Sequence, residues 1–151
     1  MRKSLLLAMA ILTATAVGCD RPEQPPAGET RWAKVTIHEF TWRVEITDRP
    51  ETQYLGLSGR EGLADDEGML FVYDKAKERS FCMREMTFPI DIAFISSDFR
   101  VVRIHTMAVE PDGRGDVPYR CYAPAQYVLE VNAGKFEELG IEEGDRVAIH
   151  R

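Results

Sequence analysis

From Trp32 onward the chain alternates apolar and polar residues in short bursts, and that period limits the folds open to it. In Trp42-Arg43-Val44-Glu45-Ile46-Thr47 the apolar side chains fall on every second position. A repeat of two sends neighbouring side chains to opposite faces, which describes a half-buried strand and not a helix. Val35 and Ile37 continue the pattern, as do the runs Gly68–Tyr73, Arg79–Met83, Ile90–Ile95, Arg100–Val109, Gln126–Val131 and Arg146–His150. About eight strands in so short a chain predict one mainly-β domain, a small sandwich or barrel-like fold, and not a parallel α/β sheet. Two short helices interrupt it. Asp48 with Glu51 three residues on reads as a capping box, with Pro50 in the first turn and an end near Gly56. Asn132 is the expected cap of a second helix that Gly140 closes. The stretch Glu110–Pro124 reads as a long connection without structure of its own, a feature often tied to function.

The amino terminus has a different character. Arg2 and Lys3 precede an uncharged apolar run, Leu5–Val17. That run is short of the roughly 20 residues a membrane-spanning helix needs and has the layout of a secretory signal peptide. Its end, Ala16-Val17-Gly18-Cys19, resembles a bacterial lipoprotein processing site, in which the cysteine is acylated and becomes the first residue. Residues 1–18 are therefore expected to be a lipoprotein-type signal peptide. Residues 19–33 are the lipidated Cys19 and a Pro-rich tether, and 34–151 are the folded domain. Asp20–Thr30, with Pro22, Pro25 and Pro26 and almost nothing apolar, lacks the surface to bury for a core. Asp20 resembles the residue that holds some lipoproteins at the inner membrane, so the expected location is the periplasmic face of that membrane. The bilayer would be engaged through acylated Cys19.

The chain carries 19 Lys and Arg against 25 Asp and Glu, a formal −6; losing a leader that holds Arg2 and Lys3 and no acid takes it to −8. Such a balance argues against nucleic acid as a partner. With Cys19 used by the anchor, Cys82 and Cys121 form an even pair in an oxidising compartment, which invites a disulfide contributing roughly 2–4 kcal/mol.

Three stretches, "GLSGREGLADDEGMLFVY", "SFCMREMTFPIDIAFI" and "YVLEVNAGKFEELGIEEGDRV", together resemble the domain of unknown function 192 family, over about Val35 to Ile149. These are small, mostly secreted or lipid-anchored bacterial and archaeal proteins. The resemblance implies a mainly-β, sandwich-like fold and no particular reaction. Where the family writes Phe-Trp-Met-Lys-Asn, this chain has Phe81-Cys82-Met83-Arg84-Glu85. Cys121 falls in a loop where relatives also carry cysteines, so the resemblance allows a bridge tying that loop to the strand.

Asp91 is a lone acid in the apolar run Ile90–Ile95, sharing a face with Ala93 and Ile95. An unpaired buried charge is too costly, so Asp91 either has partners, with Arg84 the nearest expected one, or lines a pocket. Arg60 and Arg120 could add anion-binding forks, and Glu85 a second acid. The expected ligand-binding set is thus Arg60, Arg84, Glu85, Asp91 and Arg120. They would form a polar cleft built from Cys82–Asp91, the helix end at Arg60 and the Glu110–Pro124 loop, serving a small ligand or an envelope protein. Each of these residues also has an ordinary structural reading, as an ion pair, a backbone cap or solvated surface. No motif calls for a cofactor. One alternative is soft-metal binding: Cys82, Met83, Met86, His105, Met107 and Cys121 are donor types that suit monovalent copper, though the methionines are equally good core fillers. The other is a hydrolytic or acid–base enzyme acting on an envelope substrate. For that the chain offers three histidines, His38, His105 and His150, and no nucleophile elbow or phosphate-binding glycine loop.

Overall fold

The computed structural model describes residues 30–151. The expected signal peptide, Cys19 and nearly all of the tether lie outside the described residues. Nine elements follow in order: β1 (Arg31–Ile37), β2 (Phe40–Thr47), α1 (Pro50–Leu55), β3 (Glu67–Phe81), β4 (Ile90–Ile95), β5 (Val101–Met107), β6 (Tyr119–Asn132), α2 (Lys135–Glu138) and β7 (Val147–His150). The seven strands form one sheet in the order β5-β4-β6-β3-β2-β1-β7. Every neighbouring pair is antiparallel except β2 and β3, which run parallel and are joined through α1. The sheet curls until its two ends meet. Arg100, just before β5, bridges to Arg146, just before β7, and the Val101 amide donates to the Asp145 carbonyl at 2.9 Å. The expected mainly-β fold with two short helices is present, as a half-barrel.

Two runs that read as separate strands, Gly68–Tyr73 and Arg79–Met83, are joined in one long strand, β3, which is irregular between Val72 and Arg79 and ends at Phe81, short of Cys82 and Met83. Its partner β6 is also long, so Tyr119–Pro124, expected to be loop, is strand. The paired stretch at this end is polar and largely solvent-facing, and its sequence lacks a buried-face rhythm although the backbone ladder continues. Cys121 thus lies in a strand and opposite Arg79.

β4 is buried along its whole length. Its alternate residues feed two cores. Ala93 and Ile95 face the concave side with Leu70, Leu129, Trp42 and Phe136. Ile90, Ile92 and Phe94 face the convex side with Met69, Phe71 and Val128, covered by Leu57, Met83 and Met86. A near-continuous apolar run, here interrupted only by Asp91, is what a strand covered on both faces requires.

The helix caps differ from those the sequence suggests. Asp48 pairs with Arg31, and α1 starts from Arg49 without a side-chain cap, with Pro50 at its first position. Asn132 ends β6 and donates to the carbonyls of Leu63 and Ala64 at 3.1 and 3.2 Å. The residue that reaches the start of α2 is Asp91. Its Oδ2 accepts from the Phe136 amide at 3.0 Å and its Oδ1 from the Thr106 hydroxyl at 2.7 Å, with the residue only 1% exposed. Of the two structural roles expected for Asp91, the structure has the backbone-capping carboxylate and not an ion pair with Arg84. Removing a buried acceptor strands both donors, so Asp91→Ala should lower the unfolding free energy by about 1–3 kcal/mol in urea titrations. Combining it with Arg84→Ala should show no coupling beyond about 0.5 kcal/mol, as for residues that share no partner.

Candidate functional site

The convex core is not sealed. Between the end of α1, the start of the Leu57–Arg60 turn and the middle of the sheet lies a cavity of about 220 Å³. Its floor is Glu130. This residue sits on β6, opposite Met69 of β3 and Ile92 of β4, and is 5% exposed. The backbone beneath it is close-packed: a Cβ on Gly68 would lie 2.5 Å from the Glu130 carbonyl oxygen, so β3 can approach β6 there only without a side chain. The Glu130 backbone is thus fixed between the two central strands.

No group among the described residues donates a hydrogen bond to its carboxyl, and burial pushes that carboxyl up to about 8, with the Arg60 charge pulling the other way. Arg60 itself is held by Glu45, Nη2 to Oε2 at 2.6 Å. Tyr73 also lines the cavity; burial pushes its phenol up to about 12, opposed by Arg79 and reinforced by Glu130. The Arg79 guanidinium lies 3.2 Å over the Tyr73 ring and donates to the Ala125 and Lys75 carbonyls at 2.9 and 2.7 Å. Phe71 and Phe81, edge to face at 4.9 Å, form an aromatic wall. Gln53 is fixed by donating to the Val72 carbonyl at 2.9 Å.

Arg84 borders the cavity at its mouth. Its guanidinium stacks 3.9 Å over the Tyr54 ring and donates to the Tyr54 carbonyl. Ser58 in turn donates to the Arg84 carbonyl at 2.7 Å, and the Gly59 amide to the Glu85 carbonyl at 3.0 Å. Glu85 has φ +54°, a left-handed conformation uncommon outside glycine, and its amide donates to the Gly113 carbonyl at 2.9 Å. The loop between β5 and β6 lies against this turn from outside. A Cβ on Gly115 would come within 2.8 Å of the Arg84 nitrogen, at a φ of +74°. The loop is thus a buttress behind Arg84, not a wall of the cavity, and Glu110 at its start accepts from the Asp116 and Val117 amides at 2.7 and 3.1 Å.

Of the five residues expected to form a cleft, Arg84 borders the cavity and Arg60 acts on Glu130 through its charge. Asp91 points to the opposite face of the sheet. Glu85 and Arg120 are exposed, and neither lines the cavity. The expected disulfide is not formed: Cys82 and Cys121 are both free. Cys121 lies opposite Arg79 on the ladder and is buried, whereas Cys82 lies just beyond the end of β3, past the Phe81–Tyr119 pair, and is exposed. One thiol is therefore in the core and the other at the surface. Among the soft donors, Met83, Met86, Met107 and Cys121 are core residues of the convex face. The Cys121 thiol donates to the Ala123 carbonyl at 3.1 Å, and His105 Nε2 meets the Arg120 carbonyl at 2.9 Å. Among the described residues no three His, Cys, Asp or Glu side chains converge as a metal site.

The family model for domain of unknown function 192, described as uncharacterized ACR, matches residues 33–149. The chain belongs to the DUF192 family. Among solved structures, a protein of unknown function from Novosphingobium aromaticivorans is 31% identical with a TM-score of 0.71, covering 90% of this chain and 98% of that one. A Sinorhizobium meliloti protein described as a candidate transcription regulator is 27% identical with a TM-score of 0.71, covering 80% of this chain and 93% of that one. No curated protein matches the chain.

Sequence reasoning singled out Asp91 in this DUF192 domain and passed over Glu130. Both are lone acids in apolar runs, Glu130 standing between Leu129 and Val131. The difference is decided by which face each meets and whether donors wait there. Glu130 should make stability depend on pH in a definite sense. Its folded pKa is raised, so the folded state holds the proton more tightly, and the associated stability is complete below about 4.5 and lost as pH rises through about 8. Relative to Glu130→Gln, the native protein should therefore lose roughly 1.4 kcal/mol per pH unit across that window. Urea unfolding of both proteins from pH 4 to 9 measures it, and parallel curves would mean that Glu130 is solvated.

Proposed function

We propose that this protein is a lipid-anchored envelope domain that binds a small ligand in the cavity over Glu130. The observation that carries the reading is a carboxyl fixed on the central strands, 5% exposed, lining a cavity of about 220 Å³ and lacking a hydrogen-bond donor among the described residues. A fold normally gives a buried polar group its partners, as this one does for Asp91. A carboxyl left open toward a concave site is instead suited to a partner that arrives from outside. Phe71, Phe81 and Tyr73 supply apolar contact area, while Arg84 and Ser58 give the mouth a braced polar edge. The volume is below that of sites for drug-sized molecules, so the ligand is small.

The anchoring half of the proposal rests on the basic start, the apolar run Leu5–Val17 and the Ala16–Cys19 sequence, followed by a Pro-rich tether that would let the domain stand off a bilayer. Bacteria fed labelled palmitate should label the full chain, and Cys19→Ser should remove the label; unchanged labelling would remove the anchor from the proposal.

The binding half is tested by thermal unfolding of the purified full chain against a panel of small amines, acids, sugars and nucleotides. A ligand present at 100 times its Kd adds about 2.7 kcal/mol. Glu130→Gln and Tyr73→Ala should weaken a hit, whereas Arg120→Ala should not. A hit insensitive to both cavity variants would place the binding site elsewhere.

A further inference from the structure

The charges around the cavity are distributed unevenly. Arg60, Arg79 and Arg84 all lie near it, and each is engaged away from Glu130. Arg60 is on Glu45 at 2.6 Å. Arg79 is on the Tyr73 ring and two carbonyls. Arg84 is on the Tyr54 ring and carbonyl. Glu130 is therefore a buried acid with no cation of the described residues in contact, although three guanidiniums are close by. Its surroundings are Phe71 and Phe81 edge to face, the Tyr73 ring, and the apolar Leu57, Met86 and Ile90.

We infer that the ligand of this cavity is a small organic cation, a primary or quaternary ammonium whose charged nitrogen sits on the Glu130 carboxylate against the aromatic wall. This rests on the cavity being a ligand site and goes further by naming the chemistry. An ammonium supplies the one thing the site lacks, a positive charge that can enter from the mouth and come to rest against a fixed carboxylate. In surroundings of low polarizability that pair is stronger than at a solvated surface. Aromatic rings beside an acid add the attraction of their π faces for a cation. A carboxylate or phosphate ligand would find no opposite charge in an acid at the floor, and could take only the single O–H of the protonated carboxyl.

The chemistry of binding balances simply. At neutral pH the Glu130 carboxyl holds its proton because burial raises it to about 8. The arriving ammonium favours the ionised form, so complex formation releases that proton to solvent, and no bond of the ligand is made or broken. Affinity should then rise close to tenfold per pH unit below pH 7 and level off above about 8. For a primary amine it should fall again as the amine itself loses its proton near 10, a loss that a quaternary ammonium does not share.

The test is calorimetric titration of the purified full chain with benzylammonium and tetramethylammonium, each beside benzyl alcohol and benzoate, from pH 6 to 9. Two buffers of different ionisation enthalpy count the protons released. The expected result is binding of the two ammonium probes, affinity rising with pH, release of close to one proton at pH 7, and a loss of at least tenfold in Glu130→Gln at pH 8.5. The unfolding midpoint of Glu130→Gln confirms that this near-isosteric variant is folded, and the proton count in the native protein does not depend on it. Binding of benzyl alcohol or benzoate in place of the ammonium probes, or ammonium affinity that is flat with pH, overturns the cation inference and leaves the cavity as a ligand site. Failure of all four probes overturns the cation inference, and the broader panel then decides the fate of the cavity itself.

Discussion

The burial of β4 on both faces is the constraint from which the rest of the architecture follows. A strand with no solvent-facing side must be covered twice, and a single sheet with short helices can manage that in few ways. Here the sheet curls until the turns before β5 and β7 meet, which closes the concave core over Ala93 and Ile95. Among the described residues there is no second sheet to cover the convex face. It is covered by irregular chain, the turn after α1 and the Met83–Phe88 segment, which bring Leu57, Met83 and Met86 onto Ile90, Ile92 and Phe94. A cover made of turns fits less closely than a sheet or helix, and the cavity lies where that cover stops short.

Each of the two cores contains one buried acid, and comparing them separates structure from site. Asp91 faces the concave side and receives the Thr106 hydroxyl and the Phe136 amide, so it ties β4 to β5 and to the start of α2. Its desolvation is offset by bonds that exist only in the fold. Glu130 faces the convex side one strand away and receives nothing comparable, so burial dominates and its proton is held toward about 8. The same residue class in the same kind of run is a brace on one side and an open functional group on the other.

The irregular cover is itself built from polar backbone contacts. Ser58 and Gly59 hold the carbonyls of Arg84 and Glu85, the left-handed Glu85 reaches the Gly113 carbonyl, and Gly115 admits the following loop against Arg84. That chain of contacts positions Arg84 at the cavity mouth. It also explains the long connection after β5, which supports the mouth from behind and contributes no wall to the cavity.

The alternation of Trp42–Thr47 and the apolar run of Ile90–Ile95, broken only by Asp91, sufficed to establish a mainly-β domain, because side-chain periodicity is a local property of the chain. The resemblance over the Gly56–Tyr73, Ser80–Ile95 and Tyr127–Val147 stretches likewise pointed to the family that the match over residues 33–149 shows. Pairing was not local. The union of two runs into β3 and the extension of β6 through Tyr119–Pro124 follow from a backbone ladder that continues where side chains carry no pattern. That ladder carries Cys121 into the core while Cys82 falls beyond its end at the surface, against the bridge their even number suggested. Asp91 was legible as a buried acid in need of partners, but those partners come from Thr106 and Phe136, far along the chain. Glu130 was legible only as an acid among apolar neighbours. Its isolation above a cavity depends on where three arginines find their own contacts, and only the folded arrangement of β3, β6 and the turn after α1 decides that.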